Sequence, residues 1–189
     1  MNSRWEDAVS PVIGVMLMLA ITIIIAAVVS SFVSGASTQF EKTPQASLLV
    51  YCDGSGGDFN IIFEHLSGDP IRSEDLKVTT WIRDEDGTVT KHVQSDKSPR
   101  SSGITPGVRV PFVYDAQKGI VQDMEFGEAV WRPGMIAGTG NKAATAEFLG
   151  VSEEDLEKFI ASDTPVEITI VHTPSGNIIL QKDFVLEEA

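Results

Sequence analysis

The 189-residue chain is poor in the residue types from which chemical centres are built. It has one cysteine, Cys52, so it can form no intramolecular disulfide and no multi-cysteine zinc or iron–sulfur site. Its three histidines, His65, His92 and His172, lie far apart and show no metal-ligand spacing. Basic side chains are scarce: 14 Lys+Arg stand against 27 Asp+Glu, a formal charge of −13. A surface that acidic argues against nucleic acid as a partner, because holding phosphates takes clustered Lys and Arg. Catalytic signatures are missing too, with no GxSxG and no phosphate-binding Gly-rich loop. Gly138-Thr139-Gly140 lacks the third glycine and a preceding strand, and reads as a turn. Asp84-Glu85-Asp86-Gly87 starts like a calcium loop, but Ser95 stands where the twelfth position needs Glu, so a hairpin turn is expected. Glu153-Glu154-Asp155 has no convergent partner and reads as a solvated helix start. None of Asn2, Asn60, Asn141 and Asn177 has Ser or Thr two residues on, so N-glycosylation is not expected. No catalytic residue, metal or cofactor is expected.

A further absence is local. From Ala8 to Phe40 there is no Asp, Glu, Lys or Arg. Within that stretch, AVSPVIGVMLMLAITIIIAAVVSSFV (8–33) is apolar on every helical face, with none of the polar striping of a surface helix. Its residues span about 39 Å as a helix, enough to cross a hydrocarbon core of about 30 Å. A buried core helix is shorter, and the apolar region of a removable secretory signal is about 7–15 residues. Ser34-Gly35-Ala36 does offer a small-x-small site for ordinary signal cleavage, and that alternative stays open. Cys52 is too far along for a lipoprotein.

Ahead of the apolar run stands a short polar leader, MNSRWED, with Arg4 as its single side-chain cation and Lys42 on the far flank. So few charges make the positive-inside rule a weak guide, and a leader this short is expected to stay in the cytoplasm with the bulk of the chain outside. Ser10-Pro11 predicts a helix starting at Pro11, since Ser caps helices and Pro suits the first position. Residues before Pro11 are then expected to be extended, leaving the Asp7–Ala8 bond accessible to a protease. Farther on, Ala26, Ser30 and Ser34 are spaced by four, as are Ala27, Ser31 and Gly35. Two such small-residue ridges let helix backbones approach closely, although Ala and Ser also suit the polar end of a plain anchor. Phe32, Ala36 and Phe40 predict one apolar face on a helix that leaves the membrane and ends at Pro44.

These residues carry a resemblance. Asp7 followed by AVSPVIGVMLMLAITIIIAAVVSSFVSG (8–35) resembles the N-terminus of archaeal type IV pilins over about 28 residues. The resemblance implies a leader removed by a prepilin peptidase on the cytoplasmic side. It makes Asp7 the last leader residue, Ala8 the mature N-terminus, and Ser10, Pro11, Val12, Ile13 and Gly14 the processing and assembly motif. It also implies that the helix holds the subunit in the membrane and later packs in a filament core. Beside the cut, many leaders of the family carry basic residues or Gly, whereas this one has Glu6-Asp7.

The remainder reads as β-rich. LLVYC (48–52), FNIIFEH (59–65), LKVTTWIRD (76–84), TVTKHV (88–93), RVPFVY (109–114), VEITIVH (166–172) and IILQKDFVL (178–186) are short β-branched and aromatic runs. DGSGGD (53–58), SGDP (67–70), EDG (85–87) and PSGN (174–177) separate them as hairpin turns. Alternation puts Val166, Ile168, Ile170 and His172 on one strand face. Ser152 caps a helix with Leu156, Phe159 and Ile160 on its apolar side, and 141–150 predicts a short helix ending at Gly150. KSPRSSGITPG (97–107) is a polar loop, and Cys52 a small buried residue at a strand end. The segments 64–78 and 171–179 are more loosely similar to pilin head domains.

The expected fold is therefore α+β: leader 1–7, a transmembrane or filament-core helix 8–43, and a head domain 44–189. The head is a β-sandwich or partly open barrel with one or two short helices, lying outside the cell. The expected function is a structural subunit of an archaeal surface filament used for adhesion. Its partners are the membrane, prepilin peptidase, other copies of itself and the pilus assembly machinery. A single-pass anchored extracellular binding domain is the alternative, and an extracellular enzyme a more distant one.

Overall fold

The computed structural model describes residues 6–36, 42–54, 58–84, 86–114 and 124–187, with the side chains of the N-terminal helix described over 12–32. The chain divides into two compact units, one ending at Phe40 and one starting at Glu41. The first contains helix α1 (Glu6–Ala36).

Two expectations for this helix need correction. It begins at Glu6, not Pro11, so the backbone over Glu6–Ser10 is helical rather than extended. Glu6 and Asp7 occupy the first turn, where the positive end of the helix dipole favours anions, and Ala8 is the best helix former. Pro11 removes only one bond, the one its absent N–H would have donated to the Asp7 carbonyl. The helix is also shorter than 8–43 at its far end. It is described to Ala36, and residues 42–45 are not helical. Of the expected exit face, Phe40 lies outside the described residues.

The second unit is built from antiparallel strands. One sheet runs β1 (Ala46–Asp53), β2 (Asn60–Gly68), β8 (Ile136–Gly138) and β6 (Phe112–Val113). The other runs β10 (Asn177–Val185), β9 (Pro165–His172), β4 (Leu76–Arg83) and β5 (Val89–Gln94). A two-stranded piece pairs β3 (Ile71–Arg72) with β7 (Val130–Trp131). β1 pairs with β2, β4 with β5 and β9 with β10, the consecutive antiparallel pairings that the turn residues predict. The SGDP segment does not make a hairpin. Gly68 instead brings the chain back against Gln45, whose N–H donates to Asp69 Oδ2 at 3.1 Å while its carbonyl accepts from the Asp69 N–H at 2.8 Å. A Cβ on Gly68 would run into that carbonyl, and its φ of +111° suits glycine alone. The chain then passes through β3 and a single 3₁₀ turn (Ser73–Asp75) into the other sheet.

Alternating side chains of both sheets fill one core. Val166, Ile168, Ile170 and His172 are buried, as the period of two requires, beside Val78, Ile82, Phe63 and Trp131. Edges β1 and β10 meet in a seam: Lys182 Nζ donates to the Val50 carbonyl at 2.7 Å, and Cys52 Sγ reaches the Val185 carbonyl at 3.7 Å. Cys52 is thus half-buried in a seam rather than fully buried. Helix α2 (Lys142–Leu149) packs against β4 and β5 of one sheet and β2 of the other. Asn141 caps it and Gly150 ends it in the left-handed conformation. Helix α3 (Glu153–Ala161) follows, capped as expected by Ser152, which accepts from the Asp155 N–H at 3.1 Å. Both sheets are open, and the two short helices lie between α1 and the end of the chain as β-domain insertions.

Only Phe112–Val113 of the expected strand 109–114 is extended in a ladder. Its first residues are engaged otherwise: the Arg109 N–H donates to Glu125 Oε2 at 2.9 Å, the Arg109 carbonyl accepts from Phe126 N–H at 3.0 Å, and Pro111 has no N–H to give. Gly138 is also not part of a simple turn. It ends β8 between Ile62 and Phe112, and Thr139 beside it is fully buried.

Candidate functional site

The feature of α1 that demands a partner is its surface. Every described side chain from Val12 to Phe32 is exposed, and this 21-residue stretch is long and apolar enough to cross a membrane. Side chains such as Met18, Ile23 and Phe32 remain 68–74 % exposed or close to it, with Met18 at 70 %, Ile23 at 68 % and Phe32 at 74 %. Apolar area left in water on this scale is stabilised by lipid or by neighbouring helices.

Two hydroxyls on the helix are already satisfied along it. Thr22 Oγ1 donates to the Leu19 carbonyl at 2.8 Å, and Ser31 Oγ donates to the Ala27 carbonyl at 2.9 Å. Neither hydroxyl therefore needs a partner when the helix leaves water. An unbroken helix also aligns residues four apart, so Ala26 with Ser30 and Ala27 with Ser31 form two adjacent exposed rows. Ala27, Val28, Ser31 and Phe32 line a shallow groove of about 350 Å³. Ser34 and Gly35 continue the two rows in the helical backbone.

The motif residues lie at the other end. Asp7, Ala8, Ser10 and Pro11 are in the helical backbone, while Val12, Ile13 and Gly14 are exposed on it. A Cβ placed on Gly14 would meet nothing within 4 Å. The structure thus brings the ridge residues side by side and keeps the motif residues a helix length away from them.

Within the β-domain, the polar residues singled out for possible chemistry are dispersed. Among the described residues no group of three His, Cys, Asp or Glu could hold a metal ion. His92 Nδ1 lies 2.7 Å from the Phe148 carbonyl, and His172 Nδ1 lies 2.8 Å from Ser175 Oγ. Burial pushes the Cys52 thiol up to about 12, so it stays protonated and unreactive. Asp84 and Gly87 close the β4–β5 hairpin, with Gly87 N–H donating to the Asp84 carbonyl at 2.9 Å.

One cluster gave no sequence signal. The Glu125 carboxylate, fully buried, receives Arg100 Nη2 at 2.7 Å and Arg100 Nε at 2.9 Å. Arg109 Nη1 and the Arg109 backbone N–H each approach it at 2.9 Å. Burial alone would raise the carboxyl's pKa, but the Arg100 hydrogen bonds, the Arg109 N–H and the two positive charges outweigh it and hold the pKa below its ordinary value. Arg109 Nε also donates to the Ser98 carbonyl at 3.1 Å, so the cluster fastens the irregular chain 97–111 to 124–129. Spacings of 25 and 16 residues across a loop carry no periodicity that could have announced it.

Comparison with known proteins bears on the helix. Residues 7–48 match the family model described as archaeal type IV pilin, N-terminal. Over 80 residues the chain is 44 % identical to an uncharacterized protein of Archaeoglobus fulgidus, a stretch that covers 42 % of this chain and 56 % of that protein. The chain thus spans little more than half the length of the relative it matches. Pilins are structural rather than enzymatic proteins, and the exposed apolar helix with this match suggests a membrane or cell-surface location. The span Val12–Phe32, uncharged and exposed on every side, lies within residues 7–48, and these residues are an archaeal type IV pilin N-terminal domain.

Proposed function

We propose that the protein is a structural subunit of an archaeal surface filament, made as a single-pass membrane protein with its β-domain outside. A prepilin peptidase removes Met1–Asp7, leaving Ala8 as the mature N-terminus. The processed helix then leaves lipid for a bundle of like helices, with the assembly machinery driving the transfer, and the finished filament serves adhesion. The observation that carries this reading is the exposed span Val12–Phe32, uncharged and with the Thr22 and Ser31 hydroxyls bonded to its own backbone. Such a helix exchanges lipid for helix neighbours at little polar cost. The ridges Ala26/Ser30/Ser34 and Ala27/Ser31/Gly35 supply the close approach.

Processing is favoured by the same helix. Because Pro11 has no N–H, the Asp7 carbonyl lacks its intrahelical donor. The turn over Asp7–Ala8 is the first to open, which gives a peptidase the extended backbone it needs. Leader, helix and head are then separate parts: 1–7, 8–36 and a domain from residue 42 on. Mass spectrometry of the protein from its native membrane tests the reading. The expected mass lacks Met1–Asp7, and sheared surface filaments contain the same processed chain. An intact N-terminus on a chain confined to the membrane would favour the anchored binding domain instead, and a mature start at Ser37 a secreted one.

A further inference from the structure

Strand β5 is the last strand of its sheet, so the side chains on its inner face are not flanked by a further strand. Gln94 pairs with Val78 and His92 with Thr80, which puts both on the side of the buried Val78. There they meet helix α2 and the irregular chain 97–110. A cleft of about 370 Å³ opens between these three parts, lined among others by His92, Gln94, Pro99, Arg100, Val110 and Glu147. That is the small end of ligand cavities, which run from about 300 to 1,000 Å³.

Several polar groups of this lining are unspent. Gln94 is only 4 % exposed, yet its side-chain amide makes no hydrogen bond among the described residues. An amide buried without a partner costs stability. The other unpartnered buried atoms, on His65, Thr80 and Trp131, are sealed from solvent, whereas the Gln94 amide borders an open cleft. Arg100 gives Nε and Nη2 to Glu125 and keeps Nη1. His92 Nδ1 faces the Phe148 carbonyl and so carries the hydrogen, which leaves Nε2 of the neutral ring as an acceptor. Burial alone would raise the Glu147 pKa, but hydrogen bonds from Ser101 and Ser102 outweigh it and hold the carboxyl below its ordinary value. Glu147 is therefore an anion that can only accept. Arg100 is held by Glu125 and Glu147 by Ser102, so the lining is in place before any ligand arrives.

The charges around the cleft cancel. Arg100 and Arg109 balance Glu125 and Glu147, so nothing local draws an ion in, and a chain of net charge −13 repels anions. A fitting ligand is therefore neutral. Acceptors outnumber donors in the lining: Gln94 Oε1, His92 Nε2 and the Glu147 oxygens stand against Gln94 Nε2 and Arg100 Nη1. The ligand must bring several O–H donors of its own. Val110 and Pro99 add an apolar side on which the C–H groups of a ring can rest. We propose that the cleft binds a neutral sugar residue of a glycan, with its hydroxyls bonded to Gln94 and Glu147. The inference names the ligand class for the adhesion proposed above, and it rests on that reading only for the domain's place outside the cell.

The test is saturation-transfer NMR on the full chain, in detergent or as sheared filaments. The probes are the methyl glycosides of glucose, galactose, mannose, fucose, xylose and N-acetylglucosamine, each at about 10 mM, with glucuronic acid and glucosamine as charged comparisons. Saturation of the ring protons of at least one neutral glycoside, stronger than for either charged sugar, is the expected result. Gln94→Leu should weaken that binding about tenfold or more, the loss of one well-placed polar partner. Its Tm should be no lower than that of the wild type, because the change removes a buried amide that has no partner. A purely structural Gln94 would behave the other way, with a lower Tm and unchanged sugar signals, and that result overturns the inference. Glu147→Gln should weaken binding as well. No glycoside signal that depends on Gln94 would mean that the cleft holds only water, and Gln94-dependent binding of glucuronic acid alone would make the ligand a carboxylate; either overturns the inference. Normal filaments without a Gln94-dependent sugar signal leave the filament reading intact, whereas sugar binding by an unprocessed chain confined to the membrane overturns the filament reading alone.

Discussion

Replacing Glu125 by Gln tests the element of the β-domain that the sequence least announces. The substitution keeps the shape of the side chain and removes its charge. Gln can still accept from Arg109, but its amide nitrogen then faces the donors of Arg100, which now approach at 2.7–3.1 Å. Breaking a buried ion pair from one side costs about 3–5 kcal/mol. Arg100 is 45 % exposed and can turn to water, whereas Arg109 is only 21 % exposed and cannot do so as readily. The lower end of the range, about 3 kcal/mol, is therefore expected. For a domain of this size that corresponds to a fall in Tm of about 6–12 °C. The assay is thermal unfolding of residues 42–189, expressed without the helix and followed by circular dichroism at neutral pH. This segment should itself be a soluble β-rich monomer, since a chain of that length buries a sufficient core. The pH dependence has a definite sign. Glu125 has a pKa below its ordinary 4.5, so its contribution is complete above the unfolded value and is lost as pH falls through the folded one. The gap between wild type and variant should be constant above about pH 5.5 and close in acid. A Tm difference under about 2 °C at neutral pH, or one that ignores pH, would refute the argument.

Ala27→Leu with Ser31→Leu should leave membrane insertion intact, because Leu is favoured at a helix centre by about 0.3–0.6 kcal/mol. It should also fill the groove beside Val28 and Phe32 and stop assembly, read as the yield of sheared filaments against the membrane content of processed subunit; normal filaments would sink the ridge hypothesis. Gly150→Ala should lower domain stability by about 2 kcal/mol or more, measured by urea unfolding, since left-handed backbone costs an L-residue about 1–2 kcal/mol and the new methyl would also crowd the ring of His92. An unchanged urea midpoint would mean that this turn relaxes more freely than its φ of +73° implies.

Legibility in the sequence followed the range over which each signal acts. The apolar span, the three consecutive strand pairings, the Ser152 cap and the Gly150 stop are written in contiguous residues, and each is where its local chemistry puts it. Burial of Val166, Ile168, Ile170 and His172 follows from a period of two in one unbroken strand. What was not legible depends on distant pairings. β3, β7 and β8 have two or three residues, too few to show any period, and exist because their partners do. Thr139 looked like the middle of a turn, yet its hydroxyl meets Asn60 Oδ1 and the Ile61 N–H at 3.0 Å each and Thr145 Oγ1 at 2.5 Å, tying α2 to β2. The helix start was misread for a different reason: capping preferences at Ser10-Pro11 were outweighed by two acidic residues suited to the first turn. For the candidate helix, the alignment of the small residues is readable in the sequence because a helix converts spacing directly into position.

The junction at Gln45 and Asp69 also has a mechanical meaning. A pull on the chain ahead of β1 enters the β-domain at that double hydrogen bond and then runs along β1. β1 beyond it is paired with β2 and fastened to β10 by Lys182, so the Gln45–Asp69 pair stands between the incoming chain and the first ladder and must give way before that ladder is loaded.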